Sequence, residues 1–304
     1  MKIVNSRFCR KCLQLSLSVD MMVRFAKLVN PNYNIYKRTG LSEGMPISNQ
    51  TAAQRVVADM IQDGFFVDFV EALIKIETQG YMGQKYTLWG LNDVVSGLIQ
   101  EGYSYDKVTG QFYENQRERI SPNWGRLLEG DERRMAVLRF DVVDNSTLVK
   151  SNPHSKVEKA FSDMRTIVDR AVISRLGRLW SWEGDGALAV FLFGSIEKTA
   201  VYTGMEIIHE LFFYNLLRNP LDRPINVRIG AHIGQVRYSN SETERMRNDV
   251  VKQTEVFETL AAKNSLCVSS TLCGAMDEII INTFSGEKNN RNCKYRLYSI
   301  GMEK

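Results

Sequence analysis

From Met135 onward the apolar residues of this chain switch between a two-residue and a 3.6-residue period in a fixed order, and that order narrows the fold more than any other feature. "MAVLRFDV" reads as a strand, and Val157, Ala160, Phe161, Met164, Ile167 and Val168 then form the stripe of a helix that ends near Gly177. Two short apolar runs, residues 178 to 183 and 187 to 193, flank Gly184-Asp185-Gly186 and predict a tight hairpin. A helix from about Glu197 to Leu217, a strand pair from Ile225 to Tyr238, a helix from about Asp249 to Ala262 and a strand at "LCVSS" follow. The series is β-α-β-β-α-β with additions, an α+β, ferredoxin-like split sheet with helices on one face.

The hairpin puts a carboxylate, Asp185, at its tip. Two readings are open for it: Asp is an ordinary turn residue between glycines that accept positive φ, and it is also a hard-cation ligand. A second carboxylate bears on the choice. The first strand ends in Asp141, and in a βαββαβ sheet that strand is an inner one beside the hairpin, so the two tips can meet. Asp141 has its own bland reading as part of a helix cap, because "DNS" precedes the first helix. Two carboxylates converging at strand ends are the oxygen ligands that a pair of Mg²⁺ ions takes, with the remaining positions left to phosphates and water.

The N-terminal part is of another kind. Residues 1 to 45 form a basic segment, with Lys2, Arg7, Arg10, Lys11, Arg24, Lys27, Lys37 and Arg38 opposed only by Asp20 before residue 41. Residues 46 to 130 read as a small helical, winged-helix-like unit of regulatory or interaction type. Helical spacing is clear in "TAAQRVVADMIQ", in "FFVDFVEALIKI" and from Leu91 to Gln100, and "YSYDKVTGQFYEN" alternates around Thr109-Gly110 as a hairpin does. A winged helix invites a DNA-binding reading, but residues 46 to 130 hold seven Lys and Arg against eleven Asp and Glu, the wrong sign for a phosphate-binding face. Nucleic acid is therefore not expected as the partner. "SPNWGRLLEGDERR" serves as connector to a third segment, residues 131 to 304.

Gln14, Ser16, Ser18, Asp20, Arg24 and Lys27 break the apolar run between Leu13 and Val29, so no membrane-spanning helix is expected there. The basic start leads into no clean signal-peptide core. Five cysteines, an odd number, agree with a reducing compartment, and a cytoplasmic protein is the expectation. Cys9 and Cys12 form a lone CxxC with no second half of a zinc site, and Cys267 belongs to an apolar core run.

Four segments carry a resemblance. "LRFDVVDNST" resembles the first metal-binding segment of class III adenylate and guanylate cyclases, "GRLWSWEGDGALAVF" the second, "INVRIGAHIGQV" the following strand pair, and "LAAKNSLCVSS" the segment after the catalytic helix. The match spans about residues 135 to 300 in the family's order. It implies that Asp141 and Asp185 bind two Mg²⁺ or Mn²⁺ ions, that the Val142 carbonyl assists, that a nucleoside triphosphate is bound, and that the domain forms a homodimer with its sites at the interface. With the pair and the resemblance combined, Asp185 both makes the turn and binds metal.

The chain departs from the family at several places. Ser181 stands where the family sets base choice, which moves that contact toward Glu183. Ser181 and Glu183 are expected on one face of their strand, with Trp180 and Trp182 on the other. On the third helix, the family's Asn and Arg that stabilise the transferring phosphate fall on Lys252 and Val256, its purine-selecting Asp on Arg245 and its Gly on Asn248. A shift of one helical turn would offer Asn248 and Lys252 at the same i, i+4 spacing. Beside the phosphates, Asp144-Asn145 stands in place of the family's Gly-Phe pair and adds a negative charge, with Ser146 next to it as a further expected substrate contact.

Three readings compete. The first is a divergent class III cyclase that turns a nucleoside triphosphate into its 3′,5′-cyclic monophosphate and pyrophosphate by a two-metal mechanism. The second is a catalytically degenerate module that senses nucleotide and metal or partners a complete cyclase. A remote third is a DNA-binding regulator acting through the N-terminal unit.

Overall fold

The computed structural model describes residues 3 to 107, 110 to 117, 120 to 290 and 293 to 300. The chain divides into two compact units, the first ending at Arg126 and the second beginning at Leu127.

The first unit runs α1 (Ile3–Ser16), α2 (Val19–Val29), α3 (Ile35–Thr39), α4 (Asn49–Gln62), α5 (Phe66–Gln79), α6 (Leu91–Gln100), β1 (Tyr103–Asp106) and β2 (Gln111–Glu114). The helices start where side-chain acceptors are available: Ser18 caps α2, Asn34 caps α3 and Ser48 caps α4, each accepting the backbone N–H of the third residue of its helix. The first 45 residues, read from the sequence as a basic segment apart, supply α1 to α3 to the same core as α4 to α6. Leu13, Met22 and Phe25 pack there with Val56, Phe69, Leu73 and Val94. Lysines and arginines hid that amphipathic pattern, because long basic side chains occupy the outer faces of the helices. Cys9 and Cys12 are buried in this core, where burial pushes the Cys12 thiol up to about 12. Three helices followed by a hairpin do occur in the expected order, with Thr109 of the turn lying outside the described residues. Arg126 closes the unit through Asp68 at 2.5 Å and Glu71 at 2.7 Å.

The second unit runs β3 (Glu132–Val142), α7 (Asn145–Ser151), α8 (His154–Ile173), β4 (Arg178–Glu183), β5 (Gly186–Phe191), α9 (Ile196–Leu217), β6 (Val227–Arg237), α10 (Glu242–Met246), α11 (Asp249–Leu260), β7 (Ser265–Ser269), α12 (Ser270–Cys273), α13 (Glu278–Ile281), β8 (Lys288–Asn290) and β9 (Cys293–Ser299). Its sheet has the order β4-β5-β3-β6-β7-β9-β8. In the first four strands of that order each is antiparallel to its neighbour, with β3 inside, the split βαββαβ arrangement, and β7 adds parallel to β6. Two expectations change. The strand pair expected from Ile225 to Tyr238 is one strand of 11 residues, β6. Its glycines do not turn the chain; Gly230 and Gly234 let α11 approach closely, since a Cβ on Gly230 would lie 2.3 Å from the Glu258 nitrogen and one on Gly234 2.7 Å from Val250. Helices also cover both faces. Ile229, Ala231 and Ile233 of β6 join the core under α8 and α9, whereas the alternate residues Arg228, Gly230 and Gly234 face α11 on the other side. Among the described residues no helix is long and apolar enough to cross a membrane.

Candidate functional site

The end of β3 lies between two neighbours in the sheet. Phe140 pairs with Ala187 of β5, and Asp141 pairs with Arg228 of β6. The β4–β5 turn, with Asp185 half-buried at its tip, therefore sits on the strand next to the one that ends in Asp141. Gly184 takes the positive φ of that turn, 61°, and its carbonyl accepts a hydrogen bond from the Arg165 guanidinium at 3.1 Å, which ties the turn to α8. Val142 is buried in the core beside Asp141.

Asp141 already has a cation. Arg228 Nη2 donates to its Oδ2 at 2.8 Å, while Arg228 Nε lies 3.1 Å from Oε1 of Glu258 on α11. Arg139 also reaches Glu258, at 3.9 Å, and lies 3.8 Å from Glu255. The hydrogen bond to Asp141, joined by the charges of Glu258 and Asp144, pushes the Arg228 pKa up, so the guanidinium stays charged. Glu258 is pushed above the usual carboxylate range because its burial outweighs the attraction of Arg228. Sequence reading missed both Arg228 and Glu258. The available signal was a charged residue at an α11-facing position of β6, and its partner lies 30 residues away on a helix whose face was not assigned.

The other expected residues fall in three places. Asp144 stands at the N-cap of α7 with φ 58° and makes no side-chain cap bond; Ser146 is exposed, and Asn145 buries its Oδ1 without a hydrogen-bond partner. Ser181 meets α10, and Arg245 belongs to that helix. Ser181 Oγ contacts Met246 Sδ at 3.7 Å, and the Arg245 guanidinium lies 5.5 Å from the Trp180 ring centroid. A β-bulge between Leu179 and Ser181 resets the alternation of β4, which overturns the expected sharing of faces. Trp180 meets Tyr238 and Arg245 on the α11 side, while Trp182 meets Phe140 and Arg165 on the α8 side. Glu183 ends β4, and its side chain lies outside what is described. Third, Asn248 is used in holding the start of α11: its Nδ2 donates to the carbonyls of Arg237 and Arg245, and its Oδ1 accepts the Arg237 N–H. Lys252 and Val256 lie exposed on the outer face of α11, pointing away from β6, with Lys252 3.5 Å from Asp249.

The metal donors expected here are two carboxylates and a carbonyl. No group of three or more His, Cys, Asp or Glu placed to hold a metal occurs among the described residues. Two carboxylates and a carbonyl form no closed protein cage.

In fold, part of the chain is similar to solved structures of guanylyl and adenylyl cyclase domains. The particular solved structures include the guanylyl cyclase Cya2, at 18% identity and TM-score 0.48 over 57% of this chain and 96% of that one. An adenylate/guanylate cyclase/hydrolase from Silicibacter pomeroyi shows 19% identity and TM-score 0.47 over 57% of this chain and 100% of its own. The adenylyl cyclase CyaB from P. aeruginosa shows 12% identity and TM-score 0.48 over 58% and 98%. No family model matches the chain, and no curated protein matches it.

Proposed function

We propose that residues 127 to 304 are a class III cyclase-like domain that binds a nucleoside triphosphate with a divalent cation and, as a homodimer, turns it over slowly or not at all. It would act as a nucleotide sensor or as the partner of a complete cyclase. The observation that carries this reading is the contrast between the two halves of the expected site. Asp141 and Asp185 remain on neighbouring strand ends, whereas α11 offers hydrocarbon at Val256 and an Asn248 whose amide is committed to backbone groups. Asp141, Asp185 and the Val142 carbonyl would hold Mg²⁺ or Mn²⁺, which when bound offsets the charge of the triphosphate. Arg228 keeps Asp141 compensated and oriented at the same strand end. Losing a stabiliser of the transferring phosphate commonly costs a factor of ~10² to 10³ in rate without abolishing binding.

One observation favours the second reading, an active cyclase. Lys252 keeps an exposed ammonium on the outer face of α11, where it could meet the substrate of a second protomer and assist the in-line attack of the ribose 3′-hydroxyl. Two measurements separate these readings. Mn²⁺ with a nucleotide should raise the melting temperature of the full chain by mass action, and Asp141→Ala and Asp185→Ala should each remove that shift. Product analysis with all four ribonucleotides then reports turnover. An equal shift in wild type and double variant sinks the binding site, and rapid wild-type turnover sinks the sensor.

A further inference from the structure

The C-terminal half of α9 is apolar on more sides than the core needs. Ile208 and Leu211 are buried, yet Phe213, Leu216 and Leu217 of the same helix are exposed, Leu216 at 64%, although a helix that is apolar all round is normally a buried one. Beside this half of α9 lies a cavity of about 530 Å³, the size of a site for a small organic ligand. Ile208, Leu211, Phe212, Leu216, Leu221 and Ile300 give it apolar walls.

The segment leading from α9 into β6 forms another wall, and four asparagines on the cavity brace it. Asn215 accepts the Ile225 N–H at 2.9 Å and donates to the Ile225 carbonyl at 2.8 Å. Asn219 accepts the Leu221 N–H at 3.0 Å and donates to the Arg223 carbonyl at 2.9 Å. Asn264 accepts the Val227 N–H at 3.0 Å and donates to Asn226 Oδ1 at 2.7 Å, while Asn226 donates to the Pro224 carbonyl at 3.0 Å. Both ends of each of these amides are engaged by the chain itself, so the cavity keeps its shape and its walls offer a ligand few hydrogen bonds. Two charged residues complete the lining. Asp222 is committed, since its Oδ1 accepts from Asn152 Nδ2 at 2.6 Å. Arg223 is exposed, and among the described residues no carboxylate pairs with its guanidinium.

We infer that this cavity binds an alkyl-chain carboxylate of fatty-acid type, with the chain against Leu211, Phe212 and Leu216 and the head group at Arg223. A polar metabolite would meet amides already in use and lose its water without replacement. A plain hydrocarbon would leave the cation unused, whereas a carboxylate matches the guanidinium fork. The cavity belongs to the α9 side of the sheet, opposite α11, so the site stands whether or not the domain binds nucleotide.

The test titrates the full chain calorimetrically with octanoate, decanoate and dodecanoate below their micelle concentrations, with 1-decanol and decyltrimethylammonium as uncharged and cationic counterparts. One molecule should bind per chain, about fourfold more tightly for each added methylene, and decyltrimethylammonium should bind more weakly than decanoate. Arg223→Gln should weaken decanoate about tenfold and leave 1-decanol unchanged, and Leu216→Asp should weaken both. The two replaced side chains are exposed, so neither variant threatens folding. An affinity independent of chain length, or unmoved by either variant, overturns the inference. So does a wild-type dimer that Leu216→Asp converts to monomers in sedimentation, because a second copy of the chain then covers the cavity. Binding to anionic phospholipid vesicles that Leu216→Asp abolishes, with no binding of free decanoate, overturns it in favour of a membrane surface.

Discussion

Replacing Arg228 by Met removes a side chain that touches both Asp141 and Glu258. Glu258 is buried, so it is left without its nearest cation; Arg139, 3.9 Å away, is a weaker substitute. Breaking a buried ion pair from one side costs about 3–5 kcal/mol, and since the Arg228 side chain is 35% exposed solvent screening lowers this to about 2–3 kcal/mol. For a unit of this size that is a fall of roughly 5–10 °C in melting temperature. The sign with pH follows from Glu258. Its pKa in the folded state lies above the ordinary value, so its contribution to stability is fully present when it is protonated and is lost as pH rises through the folded pKa. Removing Arg228 raises that pKa further. The stability loss of Arg228→Met should therefore be larger at high pH and shrink as pH falls and Glu258 takes up a proton. Glu258→Gln should shrink it at every pH. Thermal melts of the four proteins of the double-mutant cycle across a range of pH provide the check. A loss independent of pH and of Glu258→Gln would refute the account of this network.

Gly230→Ala should destabilise the second unit by about 2–3 kcal/mol, since its Cβ would meet backbone atoms of α11 at 2.3 and 2.5 Å, whereas Gly286→Ala, with nothing within 4 Å, should leave the melting temperature within a degree or two of wild type. Arg126→Met, which strips Asp68 and Glu71 of a guanidinium 9% exposed, should cost the first unit about 3 kcal/mol in denaturant titrations. If α11 lacks the phosphate-stabilising pair, Val256→Arg with Lys252→Asn should raise cyclase turnover by ~10-fold or more with little change in nucleotide affinity. Robust wild-type turnover that Lys252→Ala destroys would instead assign the stabilising role to Lys252.

What the chain determined by itself is what neighbours in sequence decide. The apolar periods placed β3, α8, β4, β5, α9, α11 and β7 close to their observed bounds, and Gly184-Asp185-Gly186 specified its hairpin, because strand alternation and turn chemistry depend on a few adjacent residues. The position of β3 beside that hairpin followed from the order of elements, which leaves few ways to pair the strands. The rest depended on groups far apart in the chain. Asp141 and Arg228 are 87 residues apart, and no local pattern tells a carboxylate whether a cation waits across the sheet. The bulge at Trp180 shifts every later side chain of β4 by one position, an event set by what packs on each face. Asn248 and Arg245 carry polar groups suited to a ligand, and only the closing of α10 over β4 decided that the protein itself would use them. A side chain's chemistry is written in its type, but whether that chemistry is free for a substrate depends on which other groups reach it first in three dimensions.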